Sequence, residues 1–321
     1  NSIIFISHKL WEVMQISQRV TIMRSGKYVT TVNTEDVTKE ELASLMVGRE
    51  IFLQYDRPSV ETGAPILELF DVRANDDKGL AALRDVNLAV HSGEIVGIAG
   101  VDGNGQKELA EVIHGMRRVE SGVIKLDEQN ITNKEPCAVL DAGLAHIPED
   151  RHNRGVVLDF SVCENIALIQ CDRPPFTVGG FYSPKNVKRI SDTLRDQFNI
   201  KCAGTDSSLR TLSGGNQQKV VLAREIYRNP KFLIAAQPSR GLDIGATEFV
   251  QKLLIEKRTE GMGILLISSD LDEVLAVSDR VLVIFEGQIM GSFIPGEKTF
   301  AEIGLMMAGA DVEKRSEGET A

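Results

Sequence analysis

Two rhythms of apolar and polar residues divide this chain. From Pro65 the stretches ILELFDVRAN and LRDVNLAV alternate with a period of two, which predicts a small antiparallel sheet with one wet face. Solid apolar runs then appear at Glu94–Ala99, 232–236, 263–268 and 281–285. Each is short, bounded by Gly, Pro or polar residues, and separated from the next by helical periodicity, so they read as buried strands of a parallel sheet. A helix is expected from Gln106 to His114, and residues 156–211 read as mostly helical, interrupted by the Pro/Gly-rich stretch Arg173–Gly180. The front of the chain reads as a strand (SIIFIS), an amphipathic helix (Lys9–Ser17), a hairpin turning at Ser25-Gly26 and a helix (Lys39–Met46). The fold class is α/β.

The front of the chain also recurs near its end. Ile6, Ser7, Leu10, Glu12, Val13, Ser17, Arg19, Val20 and Gly26 reappear as Ile267, Ser268, Leu271, Glu273, Val274, Ser278, Arg280, Val281 and Gly287. The spacing is 261 residues throughout (Ile6 to Ile267), and it persists without a gap to Gly48 and Gly309. Chance similarity would not hold register across a helix, a hairpin and a second helix, so two fused copies of one domain are expected. On this reading residues 1–48 are the closing part of a first copy whose remainder lies upstream. Residues 49–64, with Pro58, Gly63 and no periodicity, are a linker. Residues 65–310 are a complete second copy, and 311–321 a disordered polar tail.

Composition narrows the function. A formal charge of −10 over 321 residues argues against nucleic acid as a partner. No apolar run reaches the eighteen or so residues a membrane span requires, and no signal peptide is evident. Cys137, Cys163, Cys171 and Cys202 form no CxxC pair, which points to buried free thiols in a reducing compartment and not to metal ligands.

The chemistry concentrates in two glycine-bearing segments. Leu212-Ser213-Gly214-Gly215-Asn216-Gln217-Gln218-Lys219 places a hydroxyl and two glycines at a helix entry, where free N–H groups and the positive end of the dipole suit a phosphate. A Gly-Gly turn capping a core helix is the plainer alternative. The second segment, GIAGVDGNGQKEL, joins a strand to a helix as a phosphate loop does. Gly100, Gly103, Asn104 and Gly105 keep that loop's backbone pattern, but Gln106 stands at the lysine position and Lys107 at the hydroxyl position. One residue of slip turns a helical side chain by about 100 degrees, so Lys107 does not substitute for the lysine. A dinucleotide-binding loop is disfavoured by Glu108 at the place of a third glycine. A purely structural turn stays open.

The order of the signature run, the strand 232–236 and then Pro238-Ser239-Arg240-Gly241-Leu242-Asp243 resembles that of ATP-binding-cassette (ABC) ATPases, and the likeness extends from end to end. It implies a P-loop NTPase fold with a RecA-like parallel sheet, an antiparallel β subdomain and a helical subdomain. Against that pattern further groups are missing. Ala236 and Gln237 stand where a Mg²⁺-organising Asp and a water-polarising Glu are expected, and Ser269 where the repeat has His8. Glu149 replaces a Gln that senses Mg²⁺ and the permease, and Asp77 lies near the place of an adenine-stacking aromatic. Losses of acid–base or metal-holding groups cost on the order of 10²–10⁴ in rate each, so this domain's own site is expected not to hydrolyse ATP.

The resemblance assigns the intact segment to a different site. ABC domains pair head to tail, so Leu212, Ser213, Gly214, Gly215, Asn216 and Gln217, with Asp243, would close over ATP and Mg²⁺ held mainly by the first copy. His8 would be that site's switch residue, while His91, His114, His146 and His152 are expected to be structural. Tandem domains with LSGGNQQK resemble the ATPases of simple-sugar importers. GVDGNGQ and AAQP are closer to the purine-nucleoside and basic-membrane-lipoprotein branch. The implied partners are the first nucleotide-binding domain, two membrane permeases meeting a groove at 149–165 and, indirectly, a substrate-binding lipoprotein. The implied place is the cytoplasmic face of the membrane. Alternatives are a soluble tandem ABC protein acting on ribosomes or DNA, disfavoured by the short linker and acidic charge, and a regulatory module without turnover.

Overall fold

In the computed structural model, residues 2–7, 10–24, 26–48, 58 and 60–310 are described. His8, most of the expected linker (49–57 and 59) and the expected tail 311–321 lie outside the described residues. The front unit comprises α1 (Leu10–Ile16), the hairpin β1 (Arg19–Arg24) and β2 (Lys27–Asn33), and α2 (Lys39–Val47). A capping box starts α2: the Thr38 hydroxyl accepts from Glu41 N–H at 3.2 Å while Glu41 accepts from Thr38 N–H at 2.8 Å. Gly48 ends it in the left-handed region at φ 84°.

Next come β3 (Pro65–Asn75) and β4 (Ala81–His91), then β5 (Ile95–Ala99) and α3 (Gln106–Ile113). After these follow β6 (Ser121–Leu126), β7 (Gln129–Asn130), α4 (Pro136–Asp141) and β8 (Leu144–Ile147). The alternating segments form the expected antiparallel sheet, in the order β4-β3-β6-β7. The helical arm holds α5 (Val162–Ala167), a short hairpin of β9 (Thr177–Val178) and β10 (Phe181–Tyr182), α6 (Pro184–Gln197) and α7 (Gly214–Tyr227). It is less helical than its composition predicts. Ser161 opens α5 with its own capping box, and the polar stretch around Ser207–Thr211 turns through side-chain-capped 3₁₀ geometry.

The chain closes with β11 (Phe232–Ala236), α8 (Ile244–Thr259), β12 (Gly263–Ile267), α9 (Leu271–Val277), β13 (Arg280–Phe285), β14 (Gln288–Phe293) and α10 (Phe300–Met307). The central sheet runs β14-β13-β5-β12-β11-β8, parallel except for β14. Every residue of β5, β11 and β12 is buried, because both faces are covered. Leu233 and Ala235 face the core shared with α5–α8, whereas Phe232, Ile234 and Ala236 face the core shared with α3 and the antiparallel sheet. The carboxyl ends of β5, β8, β11 and β12 therefore open onto one edge, where residues 100–106, 148–154, 237–241 and 268–269 gather.

The repeat is also visible in backbone detail. Thr299 and Glu302 cap α10 as Thr38 and Glu41 cap α2. Both hairpins shift register at the same place, Ile22/Met23 and Val283/Ile284, and the left-handed glycines correspond (Gly26 and Gly287; Gly48 and Gly309). The repeat ends at the strand. Ile264–Ile267 lie between β5 and β11, but residues 2–7 form no strand, and Ile3, Ile4 and Ile6 are 89%, 92% and 94% exposed. A strand needs a hydrogen-bonding neighbour, and no described element supplies one there.

Two smaller expectations change. Cys163 is buried and Cys202 half-buried, but Cys137 and Cys171 are exposed, since α4 and the β9–β10 region lie on the surface. The described end of the linker is pinned: Arg258 donates to the Pro58 carbonyl at 2.6 Å, and Gly63 N–H to the Ser92 carbonyl at 2.9 Å. No helix among the described residues is long and apolar enough to cross a membrane.

Candidate functional site

The loop after β5 is filled by its own side chain. Gln106, 9% exposed, accepts from Asn104 N–H at 3.0 Å and donates from Nε2 to the Val101 carbonyl at 3.0 Å. An N–H that an open loop would offer to an anion is thus satisfied internally. The glycines explain the tightness. A Cβ on Gly100 would lie 2.7 Å from Gln106 Nε2, and one on Gly105, at φ 105°, would lie 2.8 Å from the Ala82 carbonyl oxygen. Asn104 Oδ1 accepts from Glu286 N–H at 2.9 Å and ties the loop to the β13–β14 turn.

Lys107 has its Nζ 3.5 Å from Asp77 and 3.9 Å from Glu111. Buried Glu111 also takes Arg117 and Arg154, each at 2.7 Å, and Arg117 reaches Asp77 at 2.6 Å. Burial opposes ionisation of Glu111, yet the hydrogen bonds from Arg154 and Arg117 hold its carboxyl below the usual range. The hydrogen bond from Arg117 does the same for Asp77. A cavity of about 860 Å³ opens beside this cluster, and Gly103, Gln106, Glu108, Glu149, Ala236 and Gln237 are among its walls. The residues expected to form the degenerate site therefore do gather. Gln237 accepts from the Ser269 hydroxyl at 3.2 Å, while Ala236 presents only a methyl group. Burial pushes the neighbouring His146 and His114, whose rings lie 4.9 Å apart, down to about 3 and about 4. At the positions singled out in the sequence an amide stands at 106 and a methyl group at 236, and Lys107 pairs with Asp77 and Glu111.

The start of α7 is open by comparison. Ser213 is the exposed N-cap residue, and its side chain makes no capping bond to the helix N–H groups. Its hydroxyl accepts from Asn216 Nδ2 at 2.9 Å, and Asn216 Oδ1 accepts from Lys201 N–H at 2.8 Å, which orients both side chains at the helix entry. The amide-bearing N-terminus with its hydroxyl fits an anionic oxygen. A Cβ on Gly215 would lie 2.8 Å from Ala246 Cβ, so glycine there lets α7 approach α8. Asp243 caps α8, accepting from Ala246 N–H at 2.8 Å. Ser213 is not among the walls of the 860 Å³ cavity that Gln106 helps to line.

Gln217 differs from its expected role as a ligand. It is buried, and its amide donates to the Leu209 and Leu212 carbonyls, because its helix face points inward beneath the signature. Leu212 is buried as well. Lys219 is spent on the Asn199 carbonyl and the Phe249 ring. His152, expected to be structural, has Nε2 2.9 Å from Gln217 Oε1. Sequence reasoning also missed Arg151, which donates to the Arg240 carbonyl at 2.8 Å, while Glu149 pairs with the Arg240 guanidinium at 2.5 Å. Burial lowers the Arg151 pKa, and its Nε has no partner. The charge-dense run HIPEDR was the available signal.

Comparison with known proteins bears on the family and the fold. The family model described as ABC transporter matches residues 83–240. The nucleoside import ATP-binding protein NupA of Lactococcus lactis is 44% identical over 313 residues, covering 98% of this chain and 62% of the relative. The guanosine import ATP-binding protein NupO of Bacillus subtilis is 46% identical over 295 residues (92% and 58%). The glucose import ATP-binding protein TsgD13 of Haloferax volcanii is 44% identical over 310 residues (96% and 56%). The chain thus spans about three fifths of the length of these curated relatives. In fold it is similar to a nucleotide-free ATP-binding cassette from an ABC transporter, with a TM-score of 0.62, 24% identity and coverage of 73% of this chain and 93% of that one.

Proposed function

This chain belongs to the ABC transporter family of ATPases, and from that membership we propose that it is part of the ATP-binding subunit of an importer for nucleosides or simple sugars. It lends the start of α7 to ATP held by another cassette and burns none at its own loop. The contrast within one domain carries the reading: Gln106 fills the phosphate loop from inside, while Ser213 stands exposed at an unblocked helix entry.

Ser213, Gly214, Gly215 and Asn216 would meet the terminal phosphate, and Asp243 would lie at the joint between cassettes. When bound, ATP with Mg²⁺ supplies the free energy of closure and hydrolysis. This chain's residues would orient the phosphate and shield it from bulk solvent. The shared caps, bulge and left-handed glycines support reading residues 1–48 as the end of a first nucleotide-binding domain, which would carry the lysine, the metal ligands and the strand before His8. Two permeases would receive the closure at the surface around residues 149–165, at the cytoplasmic face of the membrane, with a substrate-binding lipoprotein acting through them. The names of the relatives support nucleoside or sugar import.

The test is Ser213→Arg against Gln106→Ala in the full-length protein. ATP turnover is expected to collapse in the first and to change little in the second; equal effects would overturn the assignment.

A further inference from the structure

The two copies of the closing helix differ in what covers them. Ile303 and Met306 of α10 join Val274 of α9 and Val281 of β13 in a small core, and α2 adjoins α1 and β1 in the same manner. The flanks differ. Ala43 is fully buried, whereas its counterpart Gly304 is exposed, and a Cβ there would meet nothing within 4 Å. Ser44 and Val47 are half-buried, whereas their counterparts Leu305 and Ala308 are exposed. Elsewhere the front unit is the barer of the two: Met23 is exposed and its counterpart Ile284 fully buried. Extra cover on this one flank of α2 has a specific source in α8. The two helices pack together, with Val47 Cγ1 3.8 Å from where a Cβ on Gly245 would stand.

The open flank of α10 is apolar. Phe300, Gly304 and Ala308 recur every fourth residue and lie one above another on the helix, with Leu305 beside them. Phe300 and Leu305 are 60% and 40% exposed. A contiguous apolar patch of this kind marks a contact site. The sequence that follows is a poor match for it: in residues 311–321 Val312 is the one apolar side chain larger than a methyl group. The repeat points to a better occupant. When two copies of one domain face each other about a two-fold axis, each contact recurs with the copies exchanged. The contact of α2 on α8 joins the end of the first copy to the second. Its mate joins the end of the second copy, α10, to the first copy's counterpart of α8, which the 261-residue spacing places upstream of Asn1.

We propose that Phe300, Gly304, Leu305 and Ala308 form a seat for the first copy's counterpart of α8, as α8 itself seats α2. The seat rests on the reading of residues 1–48 as the end of a first copy, and adds to it an apolar joint on α10. That joint is the more apolar of the two, with Phe300 and Leu305 where α2 has Lys39 and Ser44. Its place also has a consequence. α8 starts directly after Asp243, and α2 touches it at Gly245, so the end of the first copy stands behind the Asp243 loop. The seat on α10 would brace the first copy's corresponding loop from behind in the same way.

The test places a photoreactive benzophenone amino acid at position 308, and for reference at position 47, in the full-length protein assembled with its permeases. Linked peptides are read by mass spectrometry after irradiation. Position 47 should link to α8, and position 308 to the first copy's helix that corresponds to α8. A link from 308 to a permease, to a second copy of the chain or to residues 311–321 would overturn the seat. Failure of 308 to link would overturn it as well, and so would failure of 47, whose contact is the template. Leu305→Glu puts a charge into the joint and should cut the 308 link about fivefold or more while sparing the link from 47. An unchanged 308 link contradicts the seat. Should that variant fail to fold, Phe300→Glu takes its place with the same two outcomes. Ser213→Arg is run alongside. If it abolishes turnover while 308 links elsewhere, the seat falls and the reading of the signature stands; if turnover survives while 308 links as expected, the reverse holds.

Discussion

Arg151 and Gly214 are fitted to each other: the guanidinium Nη2 occupies a position 2.9 Å from the Cβ that any other residue would place at 214. The same crowding has a different cause at the next residue, where the obstacle to a Cβ on Gly215 is Ala246 Cβ at 2.8 Å. A guanidinium on a flexible stem can swing aside, but a helix-borne methyl cannot. Gly215→Ala is therefore expected to cost about 1–3 kcal/mol by overpacking α7 against α8, and Gly214→Ala less than about 1 kcal/mol. Urea unfolding of the two variants measures the difference, and equal losses would contradict the geometry.

Gln106 is expected to be worth more to the loop than to any ligand. Gln106→Ala takes from Asn104 N–H its 3.0 Å partner, leaving the longer 3.3 Å contact to the Val101 carbonyl, and removes one of that carbonyl's donors, at a cost of about 1 kcal/mol. The shift in the denaturation midpoint reads this. A stabilised variant would mean that the amide is not holding the loop.

Glu111 is the carboxylate on which Arg117 and Arg154 converge, and it is buried. Glu111→Gln strips that charge from beneath two guanidinium groups, and Arg117 is itself largely buried. A loss of about 2–4 kcal/mol is expected, larger than for Asp77→Asn, whose carboxylate is exposed. Thermal or urea unfolding of both variants at pH 7 orders them, and the reverse order would be incompatible with this network.

The half-buried histidine pair predicts an acid limit. His114 and His146 are held neutral, with pKa values lowered to about 4 and about 3 from an ordinary 6.5. Below pH 6.5 the unfolded chain binds protons that the folded chain refuses, so stability falls as pH drops from about 6.5 towards 4. The loss from the pair is of the order of a few kcal/mol by pH 4–5. Unfolding midpoints at pH 7, 6 and 5 should decline, and His146→Gln should flatten that decline. An equally steep profile in the variant would remove the histidines from the explanation.

Where one covering pattern fixed the answer, the fold was legible in the chain. The fully apolar runs became β5, β11 and β12 because burial on both faces leaves no polar position. By contrast β8 was missed, since Leu144–Ile147 is four residues long and contains His146. Residues 2–7 have the composition of a strand without its partner, and strand formation is a property of pairs. Motif spacing located the loop residues and the α7 entry, but it gave no direction to side chains. Nothing in LSGGNQQK says that Gln217 turns inward while Ser213 stays out. Arg151 escaped notice, and His152 was read only as structural, because their contacts are with residues far along the chain, Arg240 and Gln217.

The self-filled loop closes a mutational road. Gln106→Lys would first remove the amide's bonds to Asn104 N–H and the Val101 carbonyl, leaving only the contacts that Asn104 itself makes to that carbonyl, at about 1 kcal/mol. On the function proposed above, the new lysine would meet no metal-holding neighbour until Ala236 and Gln237 had changed too. The way back is thus uphill at its first step.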